Sequence, residues 1–226
     1  MQCNEAMVII LMIMKKFLLI YLFAFCVITS QAQYVMVDTL KLNNAERALA
    51  KDNSLKNQKA FFDAFPKDWP QYITTYQYLD IKGFDATMYD KAKYQITAFA
   101  EKLTLIDDST YCARLVNLAI GAELDADAPS YLQQLQHDVM RRKTGTMLKI
   151  ISQLIEGDQM LYWQFYWSNL FRKPYIEAEY NKLYNQLKDK YPSEMKIMSI
   201  AFEYFCGKSF FMTDGHIDGK KFEVEK

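Results

Sequence analysis

The segment from Thr144 to Phe171 constrains the fold most, because outside residues 1–32 no other segment carries so much large apolar surface. Its first half repeats apolar residues at helical spacing, and after Gly157 a second run is apolar on nearly all sides of a helix. A helix of that kind is normally buried. We therefore expect the remaining chain to pack around the following residues: Met147, Ile150, Ile151, Leu154, Ile155, Leu161, Tyr162, Trp163, Phe165, Tyr166 and Trp167.

Helical spacing of apolar residues extends over most of the chain. No segment shows the sustained alternation of a strand, and the few glycines (7) and prolines (5) fall where helices should end. The pattern predicts an all-α domain over residues 33–212, with about eight helices. It is either a single-domain irregular helical bundle or a short α-α repeat array. We favour the bundle because the sequence contains no internal repeat.

Capping residues predict where the helices begin. Asn43 or Asn44 would start the first helix, which the polar run at 52–54 can divide in two. Asp68 would cap a short helix that has Pro70 in its first turn. Gly145 predicts either a break or a kink. The remaining starts are predicted near Asp107, Pro129, Pro174 and Ser193.

The N-terminus has the pattern of a secretory signal peptide. Lys15 and Lys16 form a basic region, residues 17–28 are apolar, and Ser30 and Ala32 are small residues before a predicted cut at Gln33. Residues 1–13 are interpreted as an over-extended start. We exclude 1–32 from the fold and predict an exported protein, periplasmic or at the cell surface.

A lipoprotein is the alternative for this N-terminus, with Cys26 as the acylated residue. The bulky Phe25 precedes it, where a lipoprotein signal has a small residue. The cleaved signal peptide is therefore the favoured interpretation.

The charge balance limits the classes of partner. The chain has 27 basic and 27 acidic residues, so it offers no basic patch for nucleic acid and no polybasic run for an anionic membrane. Lys15 and Lys16 interrupt the apolar N-terminus, and we predict no integral membrane span in the mature chain. A protein partner is the class that remains.

Two cysteines, Cys112 and Cys206, lie in the mature chain within apolar helical patterns. We interpret them as buried thiols that pack as small hydrophobic residues. An oxidising compartment leaves a disulfide between them as an alternative. The sequence has no CxxC and only two histidines, so we predict no metal site and no cofactor.

Two groups of carboxylates are the only candidates for catalysis. Glu123, Asp125 and Asp127 form one group, and Glu156 with Asp158 forms the other. A glycoside hydrolase uses two carboxylates, one to protonate the leaving oxygen and one as nucleophile or base. The alternative, which we favour, is that Asp127 and Asp158 cap helices.

The aromatic residues near the centre have two interpretations. Trp163 and Trp167 lie one helical turn apart, as do Tyr162 and Tyr166. An exposed ladder of this kind would stack on sugar rings or receive a partner helix. The apolar residues on every side favour a buried core. His137, which lies beside Asp138, is predicted to be a solvated histidine on a helix surface.

The tail, residues 213–226, contains two Asp-Gly turns and no helical stripe. Asp214, Asp218, Gly219 and Glu225 occupy positions 1, 5, 6 and 12 of a calcium-binding EF-hand loop. His216 stands at position 3, where an oxygen ligand is usual, and no exit helix follows. We favour a turn-rich tail without calcium.

Three features together resemble small exported helical proteins of unknown function that are common in Bacteroidetes. They are FFDAFPKDWPQYITTY (residues 61–76), the turn from Gly121 to Asp127, and the WQFYW block. The resemblance would cover most of the mature chain. It implies a helical architecture and no catalytic residues.

No segment carries a catalytic set or a phosphate-binding glycine loop. The sequence therefore predicts an exported, non-enzymatic helical protein that acts through protein contacts. The alternative function is a periplasmic hydrolase that acts on glycans with a pair of the carboxylates named above.

Overall fold

The structure is a computed structural model that describes residues 37–77, 87–124, 126–170 and 172–206. Within these ranges the chain forms nine α-helices and no strand, which confirms the all-α prediction. The predicted signal peptide, residue 125 and the tail lie outside the described residues. The helices are α1 (Thr39–Lys51), α2 (Leu55–Ala64), α3 (Trp69–Tyr76), α4 (Thr87–Lys102), α5 (Asp108–Ala119), α6 (Asp127–Ile151), α7 (Glu156–Trp167), α8 (Pro174–Leu187) and α9 (Pro192–Phe205).

The first helix begins earlier than the sequence predicted. Asp38 is the N-cap of α1, and its carboxylate accepts a hydrogen bond from the Lys41 amide at 2.9 Å. The prediction of Asn43 or Asn44 as the cap was wrong. The Asn43 side chain instead accepts hydrogen bonds from Lys91 at 2.8 Å and Gln95 at 3.1 Å, and so joins α1 to α4. The predicted division at 52–54 is confirmed.

Among the later predicted helix starts, Asp68 and Asp107 are confirmed as caps, whereas Ser193 is not a cap. Asp68 accepts from the Gln71 amide and Asp107 from the Thr110 amide, both at 2.9 Å. Ser193 is not a cap, because α9 begins at Pro192 and Tyr191 is its N-cap. Proline at the first helical position needs no hydrogen-bond partner for its nitrogen.

The helix α6 runs through the predicted break near Gly145, with a kink two residues earlier. Lys143 has non-helical dihedral angles, φ −130° and ψ 34°. Neighbouring side chains bind backbone carbonyls at the kink: Arg142 Nε donates to the Asp138 carbonyl at 3.2 Å, and Thr144 Oγ1 donates to the Met140 carbonyl at 2.6 Å. Side chains therefore bind the carbonyls that precede the bend.

The helix α7 lies at the centre of the core and packs most extensively against α9, with further contacts to α5 and α6. Five of its aromatic residues are 0% exposed: Tyr162, Trp163, Phe165, Tyr166 and Trp167. Their burial confirms the predicted buried centre. Leu161 and Ile155 were wrongly predicted to be core, since they are 39% and 73% exposed. Ile155 is the N-cap of α7, so it precedes the buried turns.

Cationic side chains bind the carboxyl ends of other helices. Arg114 of α5 donates to the carbonyls of Phe62, at 2.9 Å, and Phe65, at 3.3 Å, at the end of α2. Its guanidinium lies 4.2 Å from the centre of the Phe62 ring. The last carbonyls of a helix have no intrahelical partner, so a donor on another helix both satisfies them and fixes how the two helices meet.

Two buried tyrosines provide a matched test of hydrogen bonding in the core. Tyr72 OH donates to the Ala128 carbonyl at 2.6 Å, whereas Tyr111 OH is buried without a partner among the described residues. We expect Tyr72→Phe to lower the free energy of unfolding by about 1 kcal/mol, and Tyr111→Phe to leave it unchanged or raise it. Urea unfolding of both variants measures the difference. A larger loss for Tyr111→Phe would contradict the assignment.

Candidate functional site

Three helices meet at a buried cluster of polar side chains centred on His137. Gln133, His137 and Arg141 follow one another at intervals of four along α6, so they lie on one side of that helix. Tyr166 comes from the last turn of α7 and Glu179 from the middle of α8. The cluster therefore joins α8, which lies at the edge of the bundle, to its two central helices.

Both nitrogens of His137 have close partners. Nδ1 lies 2.8 Å from Glu179 Oε1, and Nε2 lies 2.9 Å from the backbone carbonyl oxygen of Tyr166. The imidazole also stacks on the Tyr166 ring, with centroids 3.9 Å apart. The side chains of His137 and Glu179 are only 10% and 13% exposed, so the contact between them is buried.

The Glu179 carboxylate is surrounded by donors. Tyr166 OH donates to Oε1 at 2.7 Å, and Arg141 Nη1 donates to Oε2 at 3.1 Å. Arg141 is held in place by a second, short ion pair with Asp138 one turn before it. Both carboxylate oxygens are thus engaged by groups from α6 and α7.

The cluster satisfies the carboxyl end of α7. Gln133 Nε2 donates to the Phe165 carbonyl at 2.7 Å and to the Ser168 carbonyl at 2.9 Å. His137 Nε2 lies within hydrogen-bond distance of the Tyr166 carbonyl oxygen. These carbonyls end the helix and lack intrahelical donors.

The electrostatics of the cluster keep Glu179 ionised. Burial alone would raise the pKa of Glu179, but hydrogen bonds from His137 and Tyr166 and the charges of His137 and Arg141 outweigh it and lower the pKa to about 2. Burial and the charge of Glu179 raise the pKa of Tyr166 well above its ordinary value. Its phenol therefore remains a hydrogen-bond donor.

The prediction of a solvated His137 was wrong. Sequence reasoning treated it as an isolated residue beside Asp138, and it missed Glu179, Gln133 and Arg141. The signal that was available is the spacing of Gln133, His137 and Arg141, which places three polar residues on one side of a helix that also carries many buried apolar residues. Glu179 gave no signal, because a glutamate in an amphipathic helix usually lies in solvent.

The two groups of candidate carboxylates are not brought together. Asp127 is the first residue of α6, and Glu156 follows the other end of that helix. A straight helix of the 25 residues of α6 would span about 37 Å at 1.5 Å per residue, so even with its kink the helix keeps the two groups well apart. Glu123, Asp127 and Glu156 are exposed and Asp158 is half-buried, while Asp125 lies outside the described residues.

Asp127 and Asp158 are also not helix caps, contrary to the prediction. The N-caps of α6 and α7 are Ala126 and Ile155, and neither makes a side-chain capping bond. Both aspartates lie in the first turn of their helices, where negative charge is favoured by the dipole. Asp127 accepts a hydrogen bond from Tyr89 OH at 3.1 Å, which ties the start of α6 to α4.

The two cysteines are buried free thiols, in line with the favoured interpretation. Burial raises the pKa of Cys112 to about 11, although Lys143 opposes this. Cys206 Sγ lies 3.6 Å from the Leu170 carbonyl. Within the described residues, no group of histidine, cysteine, aspartate and glutamate is arranged to hold a metal ion. The predicted calcium loop lies outside them.

Comparison with known proteins returned no match to a family model, to a curated protein or to a solved structure. The resemblance to exported Bacteroidetes proteins therefore stays a prediction. Among the described helices, none has both the length and the apolar character required to cross a bilayer.

Proposed function

We propose that this chain is an exported, non-enzymatic helical protein that acts through contacts with a partner protein, and that α8 presents the contact surface. The observation that carries the proposal is the way α8 is held. A buried cluster positions a peripheral helix whose outer side remains exposed. Buried ion pairs are costly to desolvate, and a role in specifying one arrangement is a recognised reason for their presence.

The hydrogen-bonding atoms of His137 and Glu179 already have partners within the protein, which supports a structural role over a catalytic one. A general acid or base must come within hydrogen-bond reach of a substrate proton. Both nitrogens of His137 and both oxygens of Glu179 are already engaged, and the pair is nearly buried. These two groups are therefore suited to holding helices in place.

The first turn of α8 carries a large aromatic residue that is exposed. Only Ile176, Leu183 and Leu187 of this helix are buried, while Tyr175 is 65% exposed. Tyr175 lies one turn before Glu179, so the cluster fixes its position. Tyrosine is enriched in protein interfaces and among the residues that dominate binding energy.

Site-specific photo-crosslinking tests the proposal, with Tyr94 of α4 as a matched position because it is 69% exposed. A photoreactive phenylalanine analogue is placed at 175 or at 94 in the producing cell. The mature protein, which should begin at Gln33, is then recovered from the envelope fraction. We expect one defined adduct with a partner protein at 175 and none at 94. With the purified partner, Tyr175→Ala should weaken binding about tenfold or more.

Equal labelling at the two positions, or no adduct at either, would contradict the assignment to α8. An intracellular protein that retains residues 1–32 would contradict export. Turnover of a cell-wall or dietary glycan, lost on alanine substitution at Glu123 and Asp127 or at Glu156 and Asp158, would replace the proposal with the hydrolase.

A further inference from the structure

The outer face of α9 carries an apolar stripe along its centre. The side of α9 that faces the bundle consists of these buried residues: Met195, Met198, Ala201 and Phe202. On the opposite side, Ile197, Ile200 and Tyr204 follow at intervals of three and four residues and so form one stripe. Ile200 is 38% exposed, and the other two are half-buried. Apolar side chains at this spacing are the means by which two helices pack together.

Two residues of opposite charge lie along one flank of this stripe. Lys196 and Glu203 are both exposed. They are seven positions apart, which is almost two whole helical turns, so both lie on the same flank, about 10 Å apart along the axis at 1.5 Å per residue. Ile200 lies between them at nearly equal distance from each. The face therefore has a positive end, an apolar centre and a negative end.

A face of this kind is complementary to itself when two copies of α9 meet in antiparallel orientation. A twofold axis across the helices pairs each residue with one equally far on the other side of the axis, and it brings the same flanks of the two helices together. With the axis beside Ile200, Lys196 of each copy lies opposite Glu203 of the other. Ile197 then lies opposite Tyr204, and the two Ile200 side chains meet. A parallel pair would bring unlike flanks together and leave these charges apart.

Glu203 can take a second cation although it already has one partner in its own chain. Arg172, which precedes α8, donates to Glu203 Oε2 at 2.7 Å. An ionised carboxylate accepts through both of its oxygens, and the Glu203 side chain is 65% exposed. Charge pairs at the edge of an interface add little affinity, but they select the orientation in which two surfaces dock. The flank thus fixes the antiparallel arrangement, while the apolar stripe supplies the contact.

We propose that the outer face of α9 is a self-association surface, on which a second copy of this chain docks with its own α9 antiparallel to the first. With one helix from each copy, the interface is at the small end of specific interfaces, below about 1,200 Å². Association is therefore reversible and depends on protein concentration. This surface is distinct from the contact surface proposed on α8, and the inference holds whether or not α8 binds a partner.

Analytical ultracentrifugation of the full mature chain over a concentration series tests the apolar centre of this surface. The average mass of the wild type should rise from that of one chain toward that of two. Ile200→Glu should weaken association at least about tenfold, because it sets two carboxylates against each other at the twofold axis. Leu40→Glu is the matched control, since Leu40 of α1 is 68% exposed and lies outside the surface. It should associate like the wild type.

Charge reversal tests the pairing and the orientation. Lys196→Glu and Glu203→Lys each place like charges opposite each other at both contacts of the dimer, so each variant alone should associate at least about tenfold more weakly. An equimolar mixture of the two variants restores opposite charges at both contacts and should form heterodimers. The double variant, with both substitutions in one chain, should form homodimers again. Lys182→Glu on α8, an exposed position, alters the net charge equally and should have no effect.

A wild type that stays monomeric at every concentration would overturn the inference and would leave this face to another protein or to residues 207–226 of the same chain. Dimers that persist in Ile200→Glu would also overturn it. So would a mixture of Lys196→Glu and Glu203→Lys that associates no better than either variant alone. A monomeric wild type that still forms a defined adduct with another protein through position 175 would keep the α8 proposal and reject this one.

Discussion

Replacing Trp167 by alanine is expected to lower the free energy of unfolding by about 3 to 5 kcal/mol, the range for removing a large aromatic side chain from a core. Trp167 is fully buried. Its ring lies 4.7 Å from that of Tyr166, 4.9 Å from that of Phe202 and 6.0 Å from that of His137. The substitution would thus leave a cavity between α6, α7 and α9, and the loss is a large part of the roughly 5 to 15 kcal/mol that keeps a domain folded.

Urea or thermal unfolding measures this loss, and Leu161→Ala on the same helix is the matched control. Leu161 is 39% exposed, so its truncation should change the free energy of unfolding by only about 0.5 kcal/mol. A Trp167→Ala protein that melts at the wild-type temperature would contradict the placement of this residue. It would also make the WQFYW segment a candidate binding surface.

Removing the Glu179 carboxylate is expected to cost about 3 kcal/mol at neutral pH, because it leaves the buried side chains of His137 and Tyr166 and the Arg141 guanidinium without their shared partner. Glu203→Ala is the matched control. Glu203 also forms an ion pair, with Arg172 at 2.7 Å, but its side chain is 65% exposed, and an exposed pair contributes about 0 to 1 kcal/mol. Equal losses of unfolding free energy in Glu179→Ala and Glu203→Ala would show that the buried cluster stabilises the fold no more than an exposed ion pair does.

The lowered pKa of the Glu179 carboxylate predicts that part of the folding stability is lost in acid. The pKa of Glu179 is lowered from 4.5 to about 2, so its stabilisation is present above pH 4.5 and is lost as the pH falls toward 2. A difference of that size corresponds to about 3 kcal/mol by linkage. We expect the stability gap between wild type and Glu179→Ala, from unfolding at a series of pH values, to close over this interval. A constant gap would contradict the lowered pKa.

The helical architecture could be predicted from the sequence, because its causes are local. Residues such as Asp68 and Asp107 cap the helices that follow them through hydrogen bonds three residues away, and apolar residues at helical spacing define the inner face of each helix. Errors occurred where several residues could serve the same local role. Asp38 can cap a helix as well as the predicted Asn43 or Asn44, and Pro192 precedes the predicted Ser193.

Burial of individual residues around α7 was only partly predictable. The apolar pattern correctly indicated that Phe165 and Trp167 are buried, but it indicated the same for Leu161 and Ile155, which are exposed. A helix that is apolar on nearly all sides contains no polar stripe to mark its outer face. Which side turns toward solvent depends on how many neighbouring helices surround it, and α5, α6 and α9 leave Leu161 partly uncovered.

By itself, the sequence determined the all-helical class and most of the helix boundaries, because capping and periodicity act over three to four residues. Only the tertiary structure decided the burial and the hydrogen-bond partners of His137. Its partner Glu179 is 42 positions away in the chain, and the Tyr166 carbonyl that it binds is a backbone group common to every residue. No local pattern distinguishes a solvated histidine from one that three helices surround, since the difference arises only when α6, α7 and α8 pack together.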